Sequence, residues 1–251
     1  MRGIVVVGAT AAAAGALALA PKSRGTTWAE WFKKIAWSYS GVPSGPLGWV
    51  SSHWTMPRLH GPIYPVMAEA LDPRPEDDLL EVACGSGMFL ARHAAQAGFV
   101  AGLDLSDVQV DLAGQRLAER IAAGTAEVVK GDADDLPWEG ERFSAVTCMG
   151  SMEVFPDPPR VLAEMHRVLR PGGRAVLAMG WRVPEETETK RVMDSMWVWT
   201  EADARRLVED AGFVDISVSY ADISGFSRLA RAMNRLSKMK DMRIVRGTKA
   251  G

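Results

Sequence analysis

Three short stretches in the middle of the chain hold the residues with chemistry to offer. Glu81 precedes a Cys84-Gly85-Ser86-Gly87 turn. Gly85 and Gly87 permit the tight backbone that aims N–H groups at a ligand near a helix start. Asp104 closes the next apolar run, where a carboxylate can accept both hydroxyls of a ribose. Asp132 lies in a third stretch, Gly131-Asp132-Ala133-Asp134-Asp135-Leu136-Pro137, and offers an acceptor for an adenine amino group. Taken singly, each has a plainer explanation as a loop glycine, an exposed turn aspartate or a solvated acidic run. A dinucleotide fingerprint is not met, because its first glycine falls on Ala83 and its third on Leu90. The two cysteines, Cys84 and Cys148, lack the spacing of a zinc site and cannot build a disulfide framework. They read as small buried residues of a protein from a reducing compartment, and no metal is expected.

An alternation of apolar runs and helical patterns must position these residues. Residues 79–83 read as a buried strand, followed by the glycine turn and a helix through Ala97. Residues 100–104 read as a second strand. Ser106 and Gln109 then form a capping box that opens a helix to about Ala122. Residues 126–130 and 143–148 are a third and a fourth strand. A helix from about Pro159 to Leu169 ends at Pro171-Gly172-Gly173, and Arg174 to Met179 is a fifth strand. Strands alternating with helices over short connections predict an α/β fold with a mainly parallel sheet. Ligands of such sheets bind beyond the C-terminal strand ends, where the strand order reverses.

With 251 residues, 47% hydrophobic and 24% charged, the chain is long enough for a sizeable core and too apolar for general disorder. A net charge of −2 argues against a nucleic-acid partner, but it hides an asymmetry. Residues 1–58 carry six Lys/Arg and one Glu, residues 59–227 carry 15 Lys/Arg and 29 Asp/Glu, and residues 228–251 carry eight Lys/Arg and one Asp. An acidic body between two basic ends suits approach to an anionic surface. Residues 3–20 carry no charge, which is the lower limit for a membrane span, and the lysines and arginines that follow would leave the body in the cytoplasm. Residues 1–24 are therefore expected to be an anchor. A soluble Ala-rich helix and a signal peptide are the rival readings. Residues 25–78 hold Trp28, Trp31, Trp37, Trp49 and Trp54, either an interfacial collar or the packing of a cover over a substrate site. A segment at about 224–240 places Arg228, Arg231, Arg235 and Lys238 on one side of a helix, opposite Phe226, Leu229, Met233 and Leu236. Such a basic amphipathic helix can lie in a lipid interface, and its plainer reading is a surface helix packed on the sheet.

The text Leu-Glu-Val-Ala-Cys-Gly-Ser-Gly (80–87), Gly-Leu-Asp-Leu-Ser (102–106), Gly-Asp-Ala-Asp-Asp-Leu-Pro (131–137) and Arg-Val-Leu-Arg-Pro-Gly-Gly (167–173) resembles the class I S-adenosylmethionine-dependent methyltransferases. Within them it is most similar to the ubiquinone/menaquinone C-methyltransferases and other small-molecule enzymes. The resemblance implies a Rossmann-like seven-stranded sheet over residues 79–251, mostly parallel with an antiparallel last strand, with helices on both faces. It implies S-adenosyl-L-methionine as cofactor. Glu81, Ala83, Gly85 and Gly87 would line its methionine end, and Asp104 would bind the ribose. Leu105 would pack on the adenine, Asp132 and Ala133 would read its edge, and backbone groups of Cys148 and Met149 would meet the methionyl amino group. Ala83 stands where a glycine is commoner, a departure expected to demand only an ordinary backbone. Many relatives carry a histidine after the fourth strand, where this chain reads Gly150-Ser151-Met152-Glu153-Val154-Phe155. His53, His60 and Tyr64 remain as candidate catalytic groups, while His93 and His166 read as structural. The expected function is methyl transfer to a small, lipophilic acceptor or lipid at a membrane surface. The alternative is a membrane-associated partner protein that binds the cofactor without turnover.

Overall fold

Leu79, Leu80 and Val82 are buried to the last atom because the strand that carries them is covered on both faces. In the computed structural model, which describes residues 42–56, 60, 61, 63–181, 190–192, 196–222 and 241–251, this strand is β1 (Asp78–Val82). It pairs in parallel with β2 (Phe99–Asp104) on one side and β4 (Phe143–Met149) on the other. Outward from these lie β3 (Ala126–Lys130) and β5 (Leu169–Trp181), both parallel to their neighbours. A short β6 (Lys190–Val192) and β7 (Met196–Val198) form a separate hairpin. The large sheet is completed by β8 (Phe213–Asp222) and β9 (Asp241–Lys249), in the order β3-β2-β1-β4-β5-β9-β8. Strand β9 runs antiparallel to both β5 and β8, so the expected seven-stranded sheet with an antiparallel last strand is observed. The order reverses between β1 and β4, which opens a crevice above their C-terminal ends.

Helices fill both faces, as the absence of polar alternation in β1, β2 and β4 requires. Helix α1 (Gly45–Val50) lies ahead of the sheet, followed by α2 (Tyr64–Leu71). Between the strands come α3 (Met88–Arg92), α4 (Asp107–Arg116), α5 (Ala118–Ala122), α6 (Pro158–Val168) and α7 (Glu201–Asp210). One core joins Leu80, Val82, Val146 and Cys148 to α6 and α7 through Val161, Leu162, Met165, Ala204 and Val208. The other joins Leu79, Val100, Ala145 and Met149 to α2, α3 and α4 through Met67, Leu71, Phe89, Leu90 and Ala113. Part of the segment ahead of β1 thus packs inside the domain core. Arg174 at the start of β5 holds it there, donating to the Leu71 and Asp72 carbonyls at 2.6 and 2.7 Å. The same guanidinium forks onto the buried Asp77 carboxylate at 3.0 and 2.5 Å.

Three elements differ from expectation. Helix α3 stops at Arg92 instead of reaching Ala97. The chain must turn there to bring Gly98 under the Pro75 carbonyl, so close that a Cβ would lie 2.4 Å from that oxygen. The single helix expected to Ala122 breaks at Leu117, whose buried side chain and non-helical dihedrals separate α4 from α5. Finally, Pro171-Gly172-Gly173 does not precede β5 but is absorbed as a register shift within it, between the pairs Phe143–Leu169 and Ala145–Arg174.

Among the described residues no helix is long and apolar enough to cross a membrane. The apolar run of residues 3–20 and the basic helix expected at about 224–240 lie outside the described residues.

Candidate functional site

The turn after β1 is built from three consecutive odd positions in the left-handed region: Ala83 (φ 55°), Gly85 (φ 53°) and Gly87 (φ 68°). The ordinary backbone expected at Ala83 is therefore not what is found. A side chain in that region costs about 1–2 kcal/mol, which explains why glycine is commoner there. Strain of this kind persists only where neighbours hold the loop, and here Asp104 does so. Its Oδ2 accepts the Gly85 N–H and its Oδ1 the Ser106 N–H, both at 2.9 Å. Burial pushes the Asp104 carboxyl up, and the N–H groups of Ser106, Gly85 and Leu105 pull it back. Three backbone N–H groups thus draw on a carboxylate with roughly four acceptor positions, which leaves capacity for a ligand hydroxyl.

Above this loop, at the β1–β4 switch point, lies a cavity of about 230 Å³. Its wall brings together Glu81, Ala83, Gly85, Asp104, Leu105, Asp132, Ala133 and Met149, along with His60 and Tyr64. Three expected site residues lie off that wall. Gly87 caps α3, where a Cβ would press on Ala113 at 3.0 Å. Cys148 faces the opposite core from Met149, because alternate residues of β4 point to opposite faces. His53 is off the wall, with Nδ1 2.9 Å from the Trp49 carbonyl and its ring tilted by 32° against Trp49 at a centroid distance of 3.8 Å. As expected, His93 and His166 are packing residues, stacked against Phe89 and set edge-on to Phe213 respectively.

The cavity is supplied with acceptors. Glu81 is 3% exposed, its Oε2 has no hydrogen-bond partner, and burial reinforced by the nearby Asp104 charge pushes its carboxyl well up. Gln109 also lines the cavity, with Oε1 buried and unpartnered. In sequence it reads as half of a capping box, and its backbone N–H does donate to Ser106 Oγ at 3.3 Å. The reciprocal position on the Ser106 N–H is taken by Asp104, which frees the Gln109 amide to lie beside Gly85. Leu105, 48% exposed, is a large apolar side chain held at the mouth.

The N-terminal segment supplies the facing wall through Val42, Pro43, Met56, His60 and Tyr64. Ser106 Oγ donates to the Pro43 carbonyl and so fixes that wall to α4. The His60 ring rests on Gly150 at the end of β4, where a Cβ would lie 3.4 Å from Cε1 and Nε2. Burial holds the His60 imidazole below its usual range. Tyr64 is pushed far above the ordinary phenol range by burial and by Glu81, against an opposing pull from Arg116. Arg116 itself donates to the Ser86 carbonyl of the glycine loop. Among the described residues no group of acidic, histidine or cysteine side chains could hold a metal ion.

A mainly parallel sheet with a glycine turn after β1, an acid at the end of β2 and a cavity at the switch point is the arrangement in which α/β domains hold nucleotides. Residues 80–177 match the family described as Methyltransferase domain. Over 150 residues the chain is 32% identical to 2-phytyl-1,4-naphtoquinone methyltransferase of Synechococcus elongatus, covering 58% of this chain and 64% of that protein. It is 37% identical over 106 residues to demethylmenaquinone methyltransferase of Symbiobacterium thermophilum, covering 41% of this chain and 42% of the relative. The chain thus spans less than two thirds of the length of either relative. Among solved structures, the cyclase SpnF superposes with a TM-score of 0.61 at 21% identity, over 75% of this chain and 80% of that one. Residues 80–177 therefore match a methyltransferase domain, and the curated relatives extend that likeness over part of their own length.

Proposed function

We propose that the protein transfers a methyl group from S-adenosyl-L-methionine to a small, lipophilic acceptor. The reading is carried by the two buried, partnerless acceptors, Glu81 Oε2 and Gln109 Oε1, set in the cavity beside an Asp104 with acceptor capacity to spare. When bound, the cofactor supplies a methyl group already activated on a sulfonium. Glu81 ionises against its cationic amino-acid end, which offsets the desolvation of the carboxylate. Asp104 takes a ribose hydroxyl with its remaining acceptor capacity, Leu105 covers the base, and Asp132 with the Ala133 N–H reads its edge. Backbone groups at the end of β4 contact the methionyl end, with Met149 on the wall itself. His60, which burial disfavours as a cation and which sits over Gly150, would accept a proton from the acceptor, with Tyr64 on the same wall. The wall of Val42, Pro43, Met56, His60 and Tyr64 would exclude water and hold the acceptor against the cofactor's methyl end, where in-line attack requires a separation of about 3–3.5 Å. The names of the quinone-directed relatives support an aromatic, lipid-soluble acceptor. The basic ends of the chain support work at a membrane surface, with the body on the cytoplasmic side and residues 1–24 as an anchor.

Incubating the purified protein with methyl-labelled cofactor and a cell lipid and metabolite extract tests this directly. A labelled product is expected, and Asp104→Ala should weaken cofactor binding by about 1.5–3 kcal/mol, read by calorimetry. A second reading is a membrane-associated partner that binds the cofactor without transfer. It is favoured by the missing histidine after β4. Tight cofactor binding with no labelled product from any extract would select it.

A further inference from the structure

A second hollow lies on the other side of one wall of the cavity. It is a groove of about 520 Å³, lined by Pro158, Pro159, Trp197, Trp199 and Leu207, with Asp203, Arg206 and Asp210 of α7 at the edge. Phe155 and Pro156 line the cavity, whereas Pro158 and Pro159 line the groove, so only Asp157 separates the two walls along the chain. The Trp197 indole N–H donates to the Phe155 carbonyl at 3.1 Å and joins the groove to the cavity wall. The Trp197 and Trp199 rings lie parallel, 9° apart with centroids at 6.4 Å, and Trp199 is anchored in the core with 5% exposure. Because Trp199 is held by the core, a chain seated against it orders little there, which lowers the entropic cost of binding.

We propose that this groove seats the apolar tail of the methyl acceptor while its reacting head occupies the cavity. The proposal rests on the methyl-transfer reading and adds the shape of the substrate to it. The lining suits a hydrocarbon and little else. Both prolines lack an N–H, and the Trp197 N–H is already given to Phe155. Of the two acids at the edge, Asp203 accepts from Thr200 Oγ1 at 2.7 Å and lies 3.7 Å from the Arg206 guanidinium. A ligand hydrogen-bonding to Trp197 or Asp203 would have to displace existing partners, whereas an alkyl or prenyl chain needs only the ring faces.

The test is equilibrium binding of 1,4-naphthoquinone probes with and without a phytyl chain to the full chain with S-adenosylhomocysteine present. The phytyl compound should bind at least tenfold more tightly than the tail-less one. Trp197→Ala should abolish that advantage while leaving binding of the tail-less probe and of S-adenosylhomocysteine unchanged. Leu207→Asp, which leaves the Phe155 tether in place, should do the same and guards against a ridge disturbed by loss of the indole. Equal affinity for the two probes, no binding of the phytyl compound, or a tail advantage that survives both substitutions overturns the proposal. A tail advantage that depends on Trp197 and Leu207 without any transfer of labelled methyl supports the groove and overturns the catalytic reading alone.

Discussion

Glu153 sits in the 3₁₀ turn after β4 with its side chain enclosed, Oε1 facing Gly180 and Oε2 without a hydrogen-bond partner. Burial raises its pKa to about 7, against the pull of its own N–H, the Gly180 N–H and the Arg243 charge. The folded state therefore favours the protonated acid. Its contribution to stability is complete below the ordinary carboxylate range and is lost as pH rises through about 7. Glu153→Gln, which mimics the protonated form, should gain stability relative to the parent by on the order of 2–3 kcal/mol between pH 5 and pH 8. Urea unfolding of both proteins at four pH values gives the difference directly, and parallel pH profiles would refute the assignment. Single residues also show where sequence is informative. Glu81, Asp104 and Asp132 could be placed because each follows or ends an apolar run, and strand ends converge in a parallel sheet. Gln109 could not, since its second role arises only because Asp104, near in sequence, reaches the Ser106 N–H first. The strain at Ala83 was equally hidden, because φ is imposed by the tether from Asp104 to Gly85 and not by alanine itself.

Elements are held together by a few such tethers, and Arg174 is the one joining α2 to β5. Asp77 is pushed up by burial, yet bonds from Arg174, from Ser144 and from the Arg74 N–H bring its pKa below the usual value. Removing the guanidinium would leave the buried Asp77 carboxylate without its countercharge, held by Ser144 and the Arg74 N–H alone, and would take a donor from the Leu71 and Asp72 carbonyls. Arg174→Ala should therefore cost about 3–5 kcal/mol of stability. It should also raise amide hydrogen exchange in α2 more than in β1, because α2 loses its attachment while the sheet keeps its ladder. Arg174→Lys keeps the charge but not the fork, so it should recover only part of both effects. Exchange rising equally across the sheet would mean that Arg174 supports the whole fold and not the α2 contact. Strand cores and one helix cap were legible in sequence through unbroken apolar runs and through Ser106, whose side chain does accept the expected N–H group. Helix ends at Arg92 and Leu117 were not, because close approach of Gly98 to Pro75 and inward rotation of Leu117 are tertiary effects. Pro171-Gly172-Gly173 carries a turn signature in either case, and only pairing with β4 shows that the strand absorbs it.

For the whole molecule the governing quantity is how charge is distributed along the chain. Residues 59–227 carry 29 acidic against 15 basic side chains, whereas both ends are basic. Each cation near an anionic leaflet adds about 1 kcal/mol of attraction, screened within a Debye length. The full chain should accordingly float with vesicles containing anionic lipid at low salt and less so at moderate salt. A protein lacking residues 1–24 should show the steeper salt dependence, since only electrostatics would remain. Recovery of the full chain in the soluble fraction at both salts would remove the membrane from the functional reading and favour a soluble metabolite as acceptor. The two cysteines have a consequence of another kind. Cys84 and Cys148 are the whole complement of thiols, both are enclosed, and burial pushes both well above the ordinary thiol range. Neither presents a thiolate to a reagent at neutral pH. The native chain is in effect a silent background for maleimide chemistry. One cysteine added at an exposed position such as Val214, on the outermost strand, would take a dye with nothing to compete for it. Energy transfer from the intrinsic tryptophans, or from a second label, could then follow the walls of the site as a ligand enters.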